Sequence, residues 1–379
     1  MGDTGPDGDV SVAHWGEHCN GGGERVGWEL ARTFGGPLHV GTSDGGIGPG
    51  DVEVRELWPD GWGRRAIDRG GLFQMAAYAL LWERDVGPLA DADVLVTSGN
   101  EPLFYVPDGE QAWAAYVHHT GRHQTDLLDE RWGRGPKGRA AQAVMAVQRH
   151  VMSGNASKPD LLVANSEPVA RRISRYWGVP RSDIAVVYPP VPVGDYSRHD
   201  AETGDYYLCL SRLDWHKRVA EVVEAFAGTG RRLLVAGDGD ERGRIEEAAG
   251  PCTEVLGYVS EERKRELLSG ARAVVNNALA EDFGLTTVEP MAAGTPVIGA
   301  AEGMTQYLVR DGETGVTYDR GGLLAAVREL EAGAVDWEPD RIEQFARRFS
   351  VERFRDGIRD AAAEAEARAR AGHSPGWSA

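Results

Sequence analysis

The chain has 379 residues, with 41 Lys plus Arg against 59 Asp plus Glu and a formal net charge of −18 at pH 7. That length suits two domains with ample core. The acidic balance argues against a nucleic-acid partner, because neutralising phosphates needs basic surface. The only lysines are Lys137, Lys158, Lys217 and Lys264, so nearly all positive charge is arginine. Acid excess with lysine depletion suits a salt-rich cytoplasm, where carboxylates favour solubility at the cost of self-repulsion. Cys19, Cys209 and Cys252 are far apart and lack metal-ligand spacing, which predicts small buried residues in a reducing compartment. The polar, acidic start MGDTGPDGDV does not read as a signal peptide. No apolar run reaches ~18 residues, so a cytoplasmic location is expected.

Short apolar runs alternate with longer amphipathic ones, which predicts parallel sheets with helices on both faces. Strands are expected at 10–13, 94–97, 114–117 and 161–164, then at 206–210, 233–236, 273–276 and 296–298. Helices are expected at 25–34, 138–150, 167–176, 218–226, 241–249, 261–270 and 286–293. The segment LFQMAAYALLW at 72–82 is the most apolar. It reads as a helix packed in the first domain, with a patch near a membrane as the alternative. Tyr188-Pro189-Pro190-Val191-Pro192 cannot be helix interior and is a poor central strand, so it marks the domain boundary. The domains are thus 1–190 and 191–350. The Ala-, Glu- and Arg-rich run 351–371 reads as one long helix.

Several clusters could carry chemistry. EDFGLTTVEPMAAGTPVIG, from Glu281 to Gly299, places Glu281 and Glu289 eight positions apart. Between them lies the turn Asp282-Phe283-Gly284, then a helix-compatible run from Leu285. Free N–H groups at such a turn can face anionic or hydroxyl-rich groups, and a carboxylate accepts strong bonds from sugar hydroxyls. Arg212 and Lys217 stand on the loop after a strand, where open α/β sheets bind ligands; arginine can fork a phosphate and lysine can act as a point charge. Val235-Ala236-Gly237-Asp238-Gly239 is a strand-to-helix turn. Ser260, after Leu256-Gly257-Tyr258-Val259, is a plausible helix cap. His14-Trp15 precedes Asn20-Gly21-Gly22-Gly23-Glu24-Arg25, a glycine loop that lets a ligand approach backbone N–H groups but is not a dinucleotide fingerprint. Tyr116-Val117-His118-His119-Thr120-Gly121-Arg122 ends another strand and offers two adjacent histidines.

Taken together, these segments resemble the retaining GT-B glycosyltransferases of family 4, in their mannosyltransferase-like subgroup and of halophilic-archaeal type. The 281–299 string is similar to the family's Glu-x7-Glu motif. Ser211-Arg212-Leu213 through Arg218 resembles its SRL-x3-K-R pattern, and the 14–25 segment its H-D-W…G-G-x-E-R loop. The 116–122 segment resembles Y-C-H-T-P-x-R; ungapped, His118 takes the family histidine's place and Arg122 its arginine's, while the departures at His119 to Gly121 leave His119 as the alternative. Asn165-Ser166 and Tyr188-Pro189-Pro190-Val191 echo two further segments. The resemblance runs from about residue 12 to 315, with 41–91 divergent.

It implies two Rossmann-like domains facing across a cleft, the first on the acceptor side and the second binding the nucleotide sugar, with the 351–371 helix crossing back to the first. It implies hexose transfer from a nucleotide donor, more GDP-mannose than a UDP-hexose, to a glycan or lipid-linked saccharide, with possible peripheral membrane contact and no metal. Arg212 and Lys217 would grip the diphosphate, and Glu281 the donor sugar with His118. Glu289 would hold the ribose, and Gly237, Tyr258, Val259 and Lys264 would border the nucleotide. Gly22, Gly23 and Arg122 would complete the donor site. A sugar-nucleotide epimerase and an inactive scaffold subunit are the rival readings. Two departures stand out. Gln306 lies where relatives carry glutamate, leaving contacts after Ile298 open, and Pro290 predicts a helix starting near Thr286 or Thr287, so that the proline falls in the first turn.

Overall fold

The computed structural model describes residues 5–69, 71–84, 86–107, 111–133, 135–196, 204–333 and 337–372. The chain forms two compact units. One runs up to Pro190 and resumes at Glu352; the other is Val191–Val351.

The first unit holds seven parallel strands: β1 (Val10–His14), β2 (Leu38–Val40), β3 (Val54–Glu56), β4 (Val94–Ser98), β5 (Ala112–Val117), β6 (Leu161–Ala164) and β7 (Ile184–Val186), in the order β3-β2-β1-β4-β5-β6-β7. The second holds six: β8 (Tyr206–Leu210), β9 (Arg232–Ala236), β10 (Thr253–Gly257), β11 (Ala273–Asn276), β12 (Val297–Ala300) and β13 (Gly315–Tyr318), in the order β10-β9-β8-β11-β12-β13. Each is a doubly wound, Rossmann-like sheet. The order reverses beside the first strand, between β1 and β4 and between β8 and β11, and such a switch opens a crevice at the strands' carboxyl ends.

Side-chain alternation builds the first core. Val12, Val94, Val96, Tyr116 and Leu161 face one side, with Val26 and Leu30 of helix Gly22–Phe34. Ala13, Leu95, Trp113 and Leu162 face the other, with Trp82 and Ile173. Both faces are covered, which is why these strands read as nearly continuous apolar runs. The last helix, Val351–Arg370, lies on the first unit's sheet through Phe354, Ile358, Ala361, Ala362 and Ala365. Their i, i+4, i+7, i+8, i+11 spacing makes one apolar stripe.

The sequence reading misses β2, β3, β7, β10 and β13. Three of these have only three residues, and β3 and β10 leave residues exposed, so no sustained apolar run marks them. Cys209 is buried as expected, with its thiol pushed up to about 12 by burial. Cys19 and Cys252 are exposed, against expectation: one follows β1 in the loop and the other precedes edge strand β10, outside either core. In the apolar helix Gly71–Arg84, Ala77, Tyr78, Leu81 and Trp82 are buried while Phe73 and Leu80 are exposed. The side chains of Leu72 and Met75 lie outside the described residues.

The helix after β11 is Leu285–Ala292, so Pro290 sits in its interior rather than its first turn. Gly284, in a left-handed conformation, starts the helix earlier than the proline alone suggests. Proline's missing N–H is tolerated because the helix ends at once: the Pro290 carbonyl accepts from Ala293 and from Thr295 N–H, closing the C-terminus.

Candidate active site

The second unit gathers its candidate residues at the β8/β11 switch point. Lys217 closes a short turn, Trp215–Lys217, after β8, and Glu281 follows β11. Their side chains meet at 2.7 Å, with only 14% and 12% of their surface exposed. The two are 64 positions apart, and the adjacency of β8 and β11 brings them together. Eight residues on, Glu289 is buried in helix Leu285–Ala292. Its Oε1 accepts from Lys264 Nζ at 3.0 Å and from the Tyr196 hydroxyl at 2.9 Å. Two of the four lysines in the sequence are thus each paired with one carboxylate of the E-x7-E motif. Lys264 also reaches Glu261 at 2.8 Å, so it braces Glu289. Breaking such a covered pair by deleting one member leaves an uncompensated charge.

The Glu281 backbone is held by a segment that sequence reasoning left open. Met304 N–H donates to the Glu281 carbonyl at 2.8 Å. Glu302 accepts from Ala280 N–H and from Arg218. Gly303, at φ 56°, packs so closely that a Cβ would lie 2.3 Å from Glu281 N. Only glycine fits there, and that requirement was the available sequence signal. Phe283, buried, packs edge-on to Phe349 at 5.5 Å and anchors the Asp282–Gly284 turn.

Gly237 is needed for the same reason: at φ 135°, a Cβ would lie 1.8 Å from the Ser211 carbonyl. It lets β9 close against the Ser211-Arg212 turn, where Leu213 N–H donates to Asp238 O. Arg212 is not drawn into the Lys217–Glu281 pair. Its side chain is 76% exposed, with Asp214 at 3.5 Å. Tyr258 is exposed and Val259 half-buried just before helix Glu261–Gly270, which Ser260 caps by accepting from Arg263 N–H.

The first unit places His14, Ser98 and His118 at the carboxyl ends of β1, β4 and β5, across its own switch point. His118 Nε2 lies 2.7 Å from Ser98 Oγ, and its ring meets those of Tyr116 and His14 edge-on at 5.2 and 6.0 Å. Burial, with His14 and His119 nearby, holds its pKa well below the usual imidazole value, so it is neutral. His119 is exposed, and its Nδ1 accepts the Gly121 N–H of its own loop at 3.0 Å. Arg122 and Arg172 both reach Asp126.

Two features depart from the expected glycine loop. Gly22 and Gly23 are not loop but the first turn of helix Gly22–Phe34, with Gly21 as N-cap. The glycines also have a packing task, because the helix crosses His14: a Cβ on Gly27 would lie 3.1 Å from His14 Cγ, and one on Gly23 3.8 Å from Cε1. His14 itself is fully buried, and neither ring nitrogen reaches a partner at hydrogen-bond geometry. Burial pushes its pKa down to about 3, the Ser98 backbone opposing only in part.

Comparison with known proteins accords with this layout. Residues 197–349 match the family described as glycosyl transferases group 1. Glycogen synthase of Mycobacterium tuberculosis is 27% identical over 187 residues, covering 45% of each chain. D-inositol 3-phosphate glycosyltransferase of Nocardioides sp. is 27% identical over 195 residues, covering 42% of this chain and 43% of the relative. The chain spans about half the length of the curated relatives it matches. Among solved structures, Anabaena HepE in complex with UDP and glucose aligns with a TM-score of 0.66 at 16% identity, covering 92% of this chain and 98% of that one. The apo lipopolysaccharide outer core galactosyltransferase WaaB aligns with a TM-score of 0.63 at 15% identity, with the same coverage. The fold is GT-B, and the match to glycosyl transferases group 1 spans most of the second unit.

Proposed function

We propose that the chain is a retaining glycosyltransferase that moves a hexose from a nucleotide-sugar donor to a hydroxyl of a glycan or lipid-linked saccharide. The observation that carries this reading is the covered Lys217–Glu281 pair at the second sheet's switch point, inside the matched domain. A donor diphosphate carries more charge than one carboxylate and competes for Lys217, which releases Glu281 to accept from sugar hydroxyls. Glu289 Oε1 is already positioned by two donors, and a carboxylate has about four lone-pair sites, so it can also take the ribose hydroxyls. Arg212, held only at a distance by Asp214, swings to the diphosphate.

In the transfer step the acceptor oxygen attacks the anomeric carbon on the leaving-group face, the carbon–oxygen bond to phosphate breaks, and a phosphate oxygen takes the acceptor proton. Lys217, Arg212 and the N-terminus of helix Leu285–Ala292 stabilise the departing diphosphate, so no metal is required. Neutral His118 and the Gly22–Gly23 turn orient sugar and acceptor. The proposed donor is GDP-mannose, on the resemblance at 118–122 and 211–218. A UDP-hexose is the second reading, favoured by the fold neighbour described in complex with UDP and glucose.

Incubation with GDP- and UDP-hexoses tests this. Slow hydrolysis to free sugar, or transfer with the anomeric configuration kept, supports the proposal. Epimer formation points to the epimerase, and no binding of any nucleotide sugar points to the scaffold.

A further inference from the structure

We infer that the outer face of helix Pro136–Ala156 is a docking surface for an anionic lipid bilayer. The sequence carries the first observation. The chain has 59 acidic residues in 379, yet from Arg131 to Pro159 it has no Asp or Glu. In that stretch stand Arg131, Arg134, Lys137, Arg139, Arg149 and Lys158, which include two of the four lysines. A local reversal of sign on so acidic a protein has no use in general solubility, and it complements a negatively charged partner.

The structure supplies the second observation. Val144, Val147 and Val151 are 51%, 64% and 44% exposed, and Ala140 and Ala143 beside them are exposed too. Their i, i+3, i+4, i+7, i+11 spacing lays them along one stripe. Lys137, Arg139 and His150, all exposed, flank it, whereas Met152, Asn155 and Ala156 turn inward, as do Arg149 and Lys158, which donate to the Gln124 and Phe104 carbonyls. Trp132, 43% exposed with Arg131 stacked 5.3 Å from its ring centroid, lies on the short helix Leu128–Trp132 just ahead of the stripe. An apolar stripe flanked by cations, with a tryptophan at one end, is the arrangement of a helix that lies in a membrane interface. The absence of any acid in the stretch, and the shallow Ala and Val side chains, favour a smooth anionic surface over a shaped protein groove. The apolar segment at 72–82, read as a packed helix with a membrane patch as the alternative, turns Tyr78, Leu81 and Trp82 into the core. This inference stands apart from the transferase reading, although a bilayer is where a lipid-linked acceptor would be met.

Flotation of the full chain with phosphatidylcholine vesicles, with and without about one-third phosphatidylglycerol, tests it. The KCl concentration should be the lowest at which the far-UV spectrum is that of the folded chain. Binding is expected to the anionic vesicles alone. The double variant Val144→Gln/Val147→Gln adds no charge and keeps helix propensity, and it should lower the apparent partition at least tenfold with the melting temperature unchanged. Lys137→Gln/Arg139→Gln should lower it roughly fivefold and flatten its salt dependence. No vesicle binding by the wild type, or binding indifferent to both variants, would overturn the inference. A wild-type dimer in light scattering that Val144→Gln/Val147→Gln turns into a monomer would also overturn it, by assigning the stripe to a second copy of the chain.

Discussion

The two switch points differ in how they hold polar groups. In the second unit, covered carboxylates are neutralised by lysines: Lys217 with Glu281, Lys264 with Glu289. In the first, the covered groups are imidazoles kept neutral by burial, with glycines making room for them. One doubly wound sheet thus serves two electrostatic designs. A site of paired charges can exchange partners with a charged ligand, whereas a site of neutral rings offers shape and weak hydrogen bonds. The contrast can be broken or sharpened experimentally.

The largest effect should come from the charged pair. Lys217→Ala and Glu281→Ala should each lower kcat/KM on the order of 10²–10³-fold, about 3–4 kcal/mol of transition-state stabilisation. Each should also lower stability by roughly 1–3 kcal/mol, because the remaining covered charge loses the opposite charge 2.7 Å away. The double variant Lys217→Met/Glu281→Gln should regain the melting temperature but not activity. A double variant as unstable as the singles would mean that the pair is not the element that matters. His118→Ala, in the neutral site, should cost less activity, and more than His119→Ala.

Backbone contacts rank next. Gly303→Ala puts a Cβ against the Glu281 backbone and should destabilise by about 2 kcal/mol or more, with loss of donor binding. Gly27→Ala meets side-chain atoms alone, His14 Cγ at 3.1 Å and Leu38 Cδ2 at 3.3 Å, and should cost about 1–2 kcal/mol. Chemical denaturation of both variants checks the order, and a reversed ranking would break the comparison.

The third effect is a pH dependence carried by the covered histidines of the first unit. His14 is depressed in the folded state, so below about 6.5 the unfolded chain binds a proton that the native one refuses. Its stabilising contribution is complete above pH 6.5 and is lost as pH falls through the window toward about 3. His118 is depressed in the same direction. At pH 5.5 the His14 shift should remove about 1.4 kcal/mol. Histidine proton shifts followed by NMR should show the His14 ring unprotonated at pH 5; titration near 6.5 would end this account.

Arg212 should give the smallest stability effect. Arg212→Ala should leave the melting temperature unchanged, since its side chain stands in solvent, yet lower nucleotide-sugar affinity. Calorimetry on that variant separates a ligand contact from a plain surface charge. The same method should show Glu289→Gln weakening the free nucleoside diphosphate, and Glu281→Gln sparing it.

Alternation of apolar runs determined the two parallel sheets, because strands covered on both faces must be apolar along their length. It left out β2, β3 and β7, whose three residues carry no period. The 281–299 motif and the Arg212–Lys217 loop were legible because strand, turn and helix signals are local. Partnership was not legible. That Lys264 and Tyr196 hold Glu289, that Gly303 holds Glu281, and that Lys217 rather than Arg212 meets Glu281 depend on which strand lies beside which, and β8 pairs with β11 across more than sixty residues. Burial of His14 and exposure of the Val144–Val147–Val151 stripe were likewise decided by which elements pack against them. Periodicity gives a helix an apolar face, and only packing decides whether that face is covered.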